Sequence, residues 1–510
     1  MTDSLILAID QGTSSTKVLL VDRQGQVRAR GWAPLSQQAP QPGWIEHRPL
    51  DVIESARTAV DEALSGGDDL DVVAVGISNQ RESLMLWDRS TGAPVSPLLS
   101  WQDRRTTSLC EELLAKGHGQ KVRSLSGLPL DPMFSAVKAT WLLDACDPDR
   151  VRGEELCLGT VDSWLVWHLT GDHVIEAGNA SRTALVDLAT GEWSPTLLEI
   201  FGVPEAVLPR IVDSSECVGV IRGWKDLDGA PVHGILGDSH AALFAHAGWR
   251  PGVAKATYGT GSSVMTLTTE DSSDSPALCR TVAWQLPGQA PALAWEANIL
   301  SAGSTVSWLA EMLATSASDL AEVAASSSAG VVLVPAFNGL GAPWWDGGAT
   351  ALITGVSLGT TSAHLARAAL DSVVLQVDDV LTALAQVDAK PQTLFVDGGM
   401  AINQELMSRQ AAVSDVDVAV SMTPELSALG AAHMAGLGAG WWTLADLESL
   451  PREYTKVAPA DSCVDPPDAW VQLREDWLRA VARARSVPSP ASVAFPDHER
   501  PFTSGEDASR

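Results

Sequence analysis

Positive charge is scarce in this sequence. Its 34 lysines and arginines are outnumbered by 63 aspartates and glutamates, which gives a formal net charge of −29 at pH 7. Only eight of the cations are lysines. Such an acidic surface repels phosphate backbones and anionic lipids, so we expect no nucleic-acid binding through a basic face. An anionic small substrate would need cations placed locally.

Paired cysteines are also absent from the sequence. Six cysteines stand apart from one another, with no CxxC motif and no histidines at metal-ligand spacing: Cys110, Cys146, Cys157, Cys217, Cys279 and Cys463. This pattern argues against a disulfide framework and against a zinc site. Reduced thiols indicate a cytoplasmic protein.

Long hydrophobic runs are few. The first apolar stretch, residues 5–9, is too short for the core of a secretory signal and has no basic start. A stretch without charge at residues 426–445 is long enough to raise a membrane question, but it is interrupted by glycines and contains His433. We interpret it as a buried helix followed by a turn, so no membrane span is expected.

Two segments rich in Gly, Thr and Ser each interrupt a strand pattern. Apolar runs at residues 5–9 and 17–21 flank the turn at residues 10–15, and a similar turn occurs at residues 259–263. Each arrangement is typical of a β-hairpin with a small polar tip. Because the two tips lie about half a chain apart, they predict an internally duplicated α/β architecture.

Buried strands alternate with helical patterns along the chain. Residues 72–77 and 393–396 have the composition of buried strands, whereas apolar residues recur at helical spacing over residues 363–384. This alternation favours α/β units over a sandwich.

A turn-rich segment at residues 248–252 marks the expected boundary between two domains. We therefore predict an N-terminal domain over residues 1–248 and a C-terminal domain over residues 249–486. A helix is expected around residues 468–485. The following residues, 487–510, are rich in Ser, Pro and charge and are predicted to be disordered.

The two Gly/Thr/Ser tips offer one way of holding phosphates. The sequence has no Walker A motif, but small residues let backbone N–H groups approach an anion closely. Two ordinary tight turns are the alternative interpretation. Asp10, at the end of its strand, favours the phosphate interpretation because a carboxylate beside a phosphate cradle suits a water-bridged Mg²⁺. The turn at residues 396–400 could lie against an adenine or ribose.

Several ordered motifs resemble the FGGY carbohydrate kinases of the actin-like ATPase superfamily, and within them the glycerol kinase branch. The similarity covers about residues 5–485. The motifs are AIDQGTSS at 8–15, PGWIEH at 42–47, SNQRE at 78–82, GTVDSWL at 159–165, NASRT at 179–183, TYGTG at 257–261, VPAFNGLGAP at 334–343 and the family signature between 351 and 371.

The resemblance implies a two-domain α/β fold of the actin-like, duplicated ribonuclease H-like type, with a cleft between the domains. It also implies ATP-dependent phosphorylation of a polyol, with Mg²⁺ held through water by Asp10, in a cytoplasmic homo-oligomer. Glycerol is the first candidate substrate, and a four-carbon polyol or a ketose is the alternative. A non-catalytic nucleotide-binding protein of the same fold is a second alternative.

By the same resemblance, Asp238 is the base that activates the attacking hydroxyl. Arg81 and Glu82 would hold neighbouring substrate hydroxyls, because one side chain only donates and the other accepts hydrogen bonds. Trp101 would form an apolar wall. Each residue also has an ordinary structural interpretation: a helix cap for Asp238, a solvated turn for the Arg-Glu pair and a core residue for Trp101.

The nucleotide would be bound by both tips and by two later segments. The resemblance assigns to it Thr13, Ser14, Ser15, Lys17, Thr260, Gly261, Gly303, Ser307, Gly399 and Asn403.

Three positions of the polyol pocket depart from the glycerol kinase pattern. Met133 replaces a tyrosine, Ser239 a glutamine and Ser263 an aromatic residue. These changes remove volume and hydrogen-bonding reach from one end of the pocket, whereas Asp238 at the reactive end is retained. The sequence therefore predicts activity on glycerol together with a pocket wide enough for a four-carbon polyol.

Overall fold

The computed structural model describes residues 4–66, 70–268, 274–459 and 467–486. Cys463 and the predicted disordered segment 487–510 lie outside these residues. The strands are β1 Ser4–Gln11, β2 Ser15–Val21, β3 Val27–Pro34, β4 Glu46–His47, β5 Asp71–Asn79, β6 Leu84–Asp88, β7 Leu98–Leu99, β8 Leu156–Thr160, β9 Val174–Glu176, β10 Val186–Asp187, β11 Glu192–Trp193, β12 Arg210–Val212, β13 Val232–Gly237, β14 Val253–Tyr258, β15 Ser262–Leu267, β16 Cys279–Trp284, β17 Ala292–Ile299, β18 Val332–Val334, β19 Leu352–Thr354, β20 Thr393–Asp397, β21 Asp417–Ser421 and β22 Tyr454–Val457.

The helices are α1 Pro49–Leu64, α2 Thr107–Ala115, α3 Gly119–Ser126, α4 Ser135–Cys146, α5 Val161–Thr170, α6 Ala177–Ser181, α7 Pro195–Phe201, α8 Asp238–Ala245, α9 Gly303–Met312, α10 Ala317–Glu322, α11 Ser362–Ala385, α12 Gln404–Ser414, α13 Leu426–Gly438, α14 Leu444–Ser449 and α15 Pro467–Ser486. The expected helices at residues 363–384 and 468–485 are thus present as α11 and α15.

Two large sheets repeat one topology. The first has the order β13-β5-β1-β2-β3, and the second contains β21-β20-β14-β15-β17 with β22 and β16 added at its edges. In each, the first two strands form an antiparallel hairpin, and the first strand pairs in parallel with a later one. The duplication predicted from the two tips is confirmed.

The first strand shows why the sheet forms at this place. Its alternate residues enter two different cores: Leu5, Leu7 and Ile9 pack on the side of α1, whereas Ile6 and Ala8 pack on the side of α13. A strand buried on both faces requires the continuous apolar run that the sequence has.

Helix α13 follows the last parallel strand of the second sheet but packs on the first sheet and on α8. Small residues make this approach possible: a Cβ atom at Gly430 would lie 1.9 Å from the carbonyl oxygen of Ala241. The five strands of the first sheet precede residue 248 and the seven of the second follow it, while the proposed division into domains stays a prediction. Within the described residues, no helix is long and apolar enough to cross a membrane.

Candidate functional site

A cleft of about 320 Å³ lies between the two halves of the chain. It brings together ten of the predicted site residues: Thr13, Ser14, Arg81, Glu82, Trp101, Met133, Asp238, Ser239, Thr260 and Gly261. Both hairpin tips therefore open into one cavity of the size that binds small molecules.

The first tip is held from two sides. The carbonyl oxygen of Gly12 accepts a hydrogen bond from Gln80 Nε2 at 3.2 Å, while the Gly12 N–H donates to the carbonyl oxygen of Ser15. Trp101 Nε1 donates to Thr13 Oγ1 at 3.0 Å. The half-buried indole therefore lines the cleft and positions the tip, and it also packs against the apolar core of the first half.

Asp10 lies at the end of β1, directly opposite Lys17 on β2. Ser78 Oγ donates to Asp10 Oδ1 at 2.9 Å. Burial raises the pKa of Asp10 to about 6, although Lys17 and Ser78 oppose the shift. A nearby cation would stabilise the ionised form of a desolvated carboxylate of this kind.

The second tip rests on the start of α9. Gly303 donates its N–H to the carbonyl oxygen of Gly259 at 2.9 Å, and Ser304 donates to that of Thr260 at 3.0 Å. A Cβ atom at position 303 would come within 2.6 Å of the Gly259 oxygen. Only glycine fits at this contact, which fixes the tip against the helix.

Asp238 is the first residue of α8 and lies at the border of the cleft. Its Oδ1 accepts hydrogen bonds from Ser239 N, at 2.6 Å, and from Arg81 Nε, at 3.1 Å. The side chain is 39% exposed. Gly237 is the N-cap residue of α8 and no side chain caps the helix, so the interpretation of Asp238 as a helix cap is wrong. The Asp238 carboxylate bonds to the adjacent Ser239 N–H and faces the cleft.

Arg81 and Glu82 occupy a tight turn between β5 and β6. Glu82 has a φ of +62°, a left-handed conformation that is costly for a residue with a side chain, and Ser83 N–H donates to the carbonyl oxygen of Arg81. Both side chains are almost fully buried. The interpretation of this pair as a solvated turn is therefore wrong.

Glu296, which no sequence motif indicated, pairs with two arginines: Arg81, which lines the cleft, and the buried Arg182. Its carboxylate accepts from Arg81 Nη1 and Nη2, at 2.8 and 2.7 Å, and lies 3.0 Å from Arg182 Nη1. Arg182 Nε in turn donates to Glu82 Oε1 at 2.6 Å. Burial opposes ionisation of Glu296, but the two arginines outweigh it and hold its pKa below the ordinary value.

A chain of polar groups continues from this cluster along the cleft. Ser239 Oγ donates to Ser263 Oγ at 3.2 Å, and Ser263 Oγ donates to Glu296 Oε1 at 3.3 Å. The buried Lys255 Nζ donates to Thr257 Oγ1 at 3.0 Å, and burial lowers its pKa.

Met133 lines the same cleft and is fixed from behind. Lys138, which is fully buried, donates to the carbonyl oxygens of Pro132 and Met133. The three departures from the glycerol kinase pattern thus share one cavity.

The other predicted nucleotide residues lie outside the lining of this cleft. Ser15 begins β2, and Ser307 is exposed on α9. Asn403 caps α12, because its Oδ1 accepts from Leu406 N at 3.0 Å, and Gly399 begins a short 3₁₀ turn after β20. No group of three or more His, Cys, Asp or Glu side chains within the described residues could hold a metal ion.

Comparison with known proteins gives a consistent result over most of the chain. Residues 5–245 match the N-terminal domain, and residues 254–439 the C-terminal domain, of the FGGY family of carbohydrate kinases. The glycerol kinase of Aromatoleum aromaticum is 43% identical over 94% of this chain and 99% of its own length, and that of Halobacterium salinarum is 41% identical over 92% and 96%.

Solved structures have the same architecture. The Plasmodium falciparum glycerol kinase with ADP superposes with a TM-score of 0.86 at 29% identity, covering 95% of this chain and 98% of that one. The fold class expected from the resemblance is confirmed.

Proposed function

This chain belongs to the FGGY family of carbohydrate kinases, which makes it an ATP-dependent phosphotransferase, and we propose that its acceptor is glycerol or a closely related polyol. The observation that carries this proposal is the position of Asp238, whose partly exposed carboxylate lines the cleft together with both phosphate-loop tips. The glycerol kinases that share more than 40% sequence identity with this chain support glycerol as the first candidate substrate.

Asp238 accepts the proton of the attacking hydroxyl in the proposed reaction. Both of its side-chain hydrogen bonds in the described part of the chain end on Oδ1, which leaves Oδ2 for the substrate. A base must lie within hydrogen-bond reach of the hydroxyl, and little else is required because phosphoryl transfer depends mainly on positioning and electrostatic stabilisation.

Arg81, Glu82 and Trp101 form the remaining walls of the proposed polyol site. Their expected role as substrate contacts stays a prediction. The ion pairs around Arg81 and Glu82 determine how these two side chains would meet the substrate. Since Arg81 is held by Glu296 and Glu82 by Arg182, the two groups would meet a polyol in fixed positions, at a smaller entropy cost than free side chains.

ATP would lie on the two tips and along the second half. Thr13, Ser14, Thr260 and Gly261 line the cleft where the phosphates are proposed, with Lys17 and Ser15 behind the first tip. Gly303, Ser307, Gly399 and Asn403 would face the rest of the nucleotide. Small residues and backbone amides suit this task because they approach phosphates closely.

Mg²⁺ fits the chemistry at Asp10 as a water-bridged ion, because Mg²⁺ keeps several waters and needs one or two carboxylates beside the phosphates. The Asp10 carboxylate is buried, and the charge of Lys17 compensates only part of its desolvation. It is therefore a suitable acceptor for such waters. When bound, the ion would neutralise charge on the nucleotide.

We predict that Mg²⁺ affinity falls at acidic pH. With a pKa of about 6, Asp10 is ionised at pH 7.5 and mostly protonated below pH 6. A proton then competes with the cation and weakens binding by up to about tenfold per pH unit. Titration of Mg²⁺ into the ADP-bound protein between pH 5 and 8 measures this.

The variant Asp10→Asn serves as control, because it leaves protonation of the nucleotide unchanged and removes the titrating group. It should bind Mg²⁺ weakly with only the pH dependence of the nucleotide. If the Mg²⁺ affinity has the same pH dependence in the wild type and in Asp10→Asn, then protonation of Asp10 does not control Mg²⁺ binding.

A four-carbon polyol is a second candidate substrate. Met133, Ser239 and Ser263 lie in one cavity with small or flexible side chains, and the serine hydroxyls form a hydrogen-bonded row leading to Glu296. An additional CHOH group could use this row. Each neutral hydrogen bond is worth about 0.5–1.5 kcal/mol, so the gain offsets part of the loss that glycerol suffers in a wide pocket.

We therefore expect erythritol or threitol to be phosphorylated with a kcat/KM comparable to or better than that of glycerol. A side-by-side measurement with glycerol, tetritols, pentitols and ketoses tests this. Tetritols at least a hundredfold worse than glycerol would reject the widened pocket but leave the kinase assignment intact. Absence of turnover with every polyol and sugar would favour a non-catalytic nucleotide-binding protein.

The cytoplasmic location and the homo-oligomeric state inferred from the sequence stay predictions.

A further inference from the structure

Glu296 joins the two halves of the chain at the cleft. It lies on β17 of the second sheet, whereas Arg81 and Arg182 belong to the first half. The carboxylate is completely buried and the two guanidinium groups are nearly so. It is the single acidic residue inside the apolar strand ALAWEANI.

Each arginine bound by Glu296 also holds a second carboxylate. Arg81 reaches Asp238 with Nε, and Arg182 reaches Glu82 with Nε. Glu296 holds Arg81 at both Nη1 and Nη2, and it holds Arg182 at Nη1. Because the guanidinium group is planar, these contacts also restrict the direction of each Nε. The positions of Asp238 and Glu82 therefore depend on a residue that contributes nothing to the lining of the cleft.

We propose that Glu296 is a positioning residue that, through Arg81 and Arg182, sets the placement of the proposed base and of the polyol-binding Glu82. This inference rests on the proposed function. Its physical basis is precision: a catalytic group displaced by about 1 Å can lose about 10²-fold in rate. Neutralising Glu296 would free both guanidinium groups to reorient toward Asp238 and Glu82.

The variant Glu296→Gln keeps the size of the side chain and removes its charge. We expect kcat to fall about 10²-fold and the KM for the polyol to rise, while ADP affinity stays near that of the wild type. The control Asp379→Asn removes another buried carboxylate, which accepts from Trp477 and pairs with Arg474 away from the cleft. It should lower the melting temperature but leave kcat per folded molecule unchanged.

A double-mutant cycle separates positioning from a purely structural role. If Glu296 acts through Asp238, then Glu296→Gln introduced into the Asp238→Asn background should lower kcat by only a few fold more. If the two substitutions lower kcat by factors that multiply in the double variant, the proposal is contradicted. If Glu296→Gln does not fold, Glu296→Asp provides the test, because it keeps the charge but is too short to grip both arginines. An unchanged kcat in that variant would overturn the proposal.

Turnover of the polyol panel by the wild type decides the proposed function separately. A wild-type enzyme that is active while Glu296→Gln keeps full kcat and KM would reject the positioning role alone.

Discussion

The variant Asp238→Asn should lose about 10²–10⁴-fold in kcat while binding nucleotide almost as tightly as the wild type. The amide keeps the shape of the carboxylate and can still accept from Ser239 N, so α8 should begin in the same place. It cannot take a proton from the attacking hydroxyl. Steady-state kinetics with saturating polyol and ADP titration measure the two quantities.

A matched control exists in Asp319, another aspartate in the first turn of a helix, which is exposed on α10. Asp319→Asn should leave turnover unchanged. Wild-type turnover in Asp238→Asn would show that another group activates the hydroxyl.

The variant Arg81→Ala should have the second large effect, on both binding and stability. From sequence alone, this change is expected mainly to raise the KM for the polyol. The structure adds that Arg81 neutralises Glu296 and contacts Asp238, so kcat should fall as well. Hydrogen bonds to charged groups are worth about 1.5–3 kcal/mol each, which predicts a 10- to 100-fold higher KM. Breaking a buried ion pair costs about 3–5 kcal/mol of unfolding free energy.

Arg367→Ala is the control for the stability effect, because this equally buried arginine pairs with Glu405 and Asp371 outside the cleft. It should lower the melting temperature without changing the KM for the polyol. An Arg81→Ala protein with a wild-type KM would contradict a role of Arg81 at the polyol site.

Local signals in the sequence were sufficient for the repeated core of the fold. The apolar run of β1, the Gly/Thr/Ser turn after it and their recurrence at β14 predicted both hairpins and the duplication. In each hairpin the two strands are consecutive in the chain, so local composition and spacing are enough to predict their pairing. The packing of α13 on the first sheet was not predictable, because it depends on small residues that meet across the two halves.

The candidate site shows the same limit. Thr13, Arg81 and Asp238 stand in motifs of recognisable composition, and the structure brings them together. Glu296 contacts Arg81 across 215 positions of the chain, and no local pattern records such a pair. A lone acidic residue in an apolar strand was the available signal, since a buried charge requires a partner. Arg182 was part of a recognised motif but received no role.

The most direct test of the proposed activity is to identify the product. Purified protein incubated with Mg²⁺, ATP and glycerol, followed by ³¹P NMR, should yield one phosphomonoester of the polyol for each ADP formed. Little ADP should form without the polyol, and Asp238→Asn should form the phosphomonoester at a strongly reduced rate. ADP accompanied only by inorganic phosphate, or no ADP with any polyol or sugar, would contradict the account.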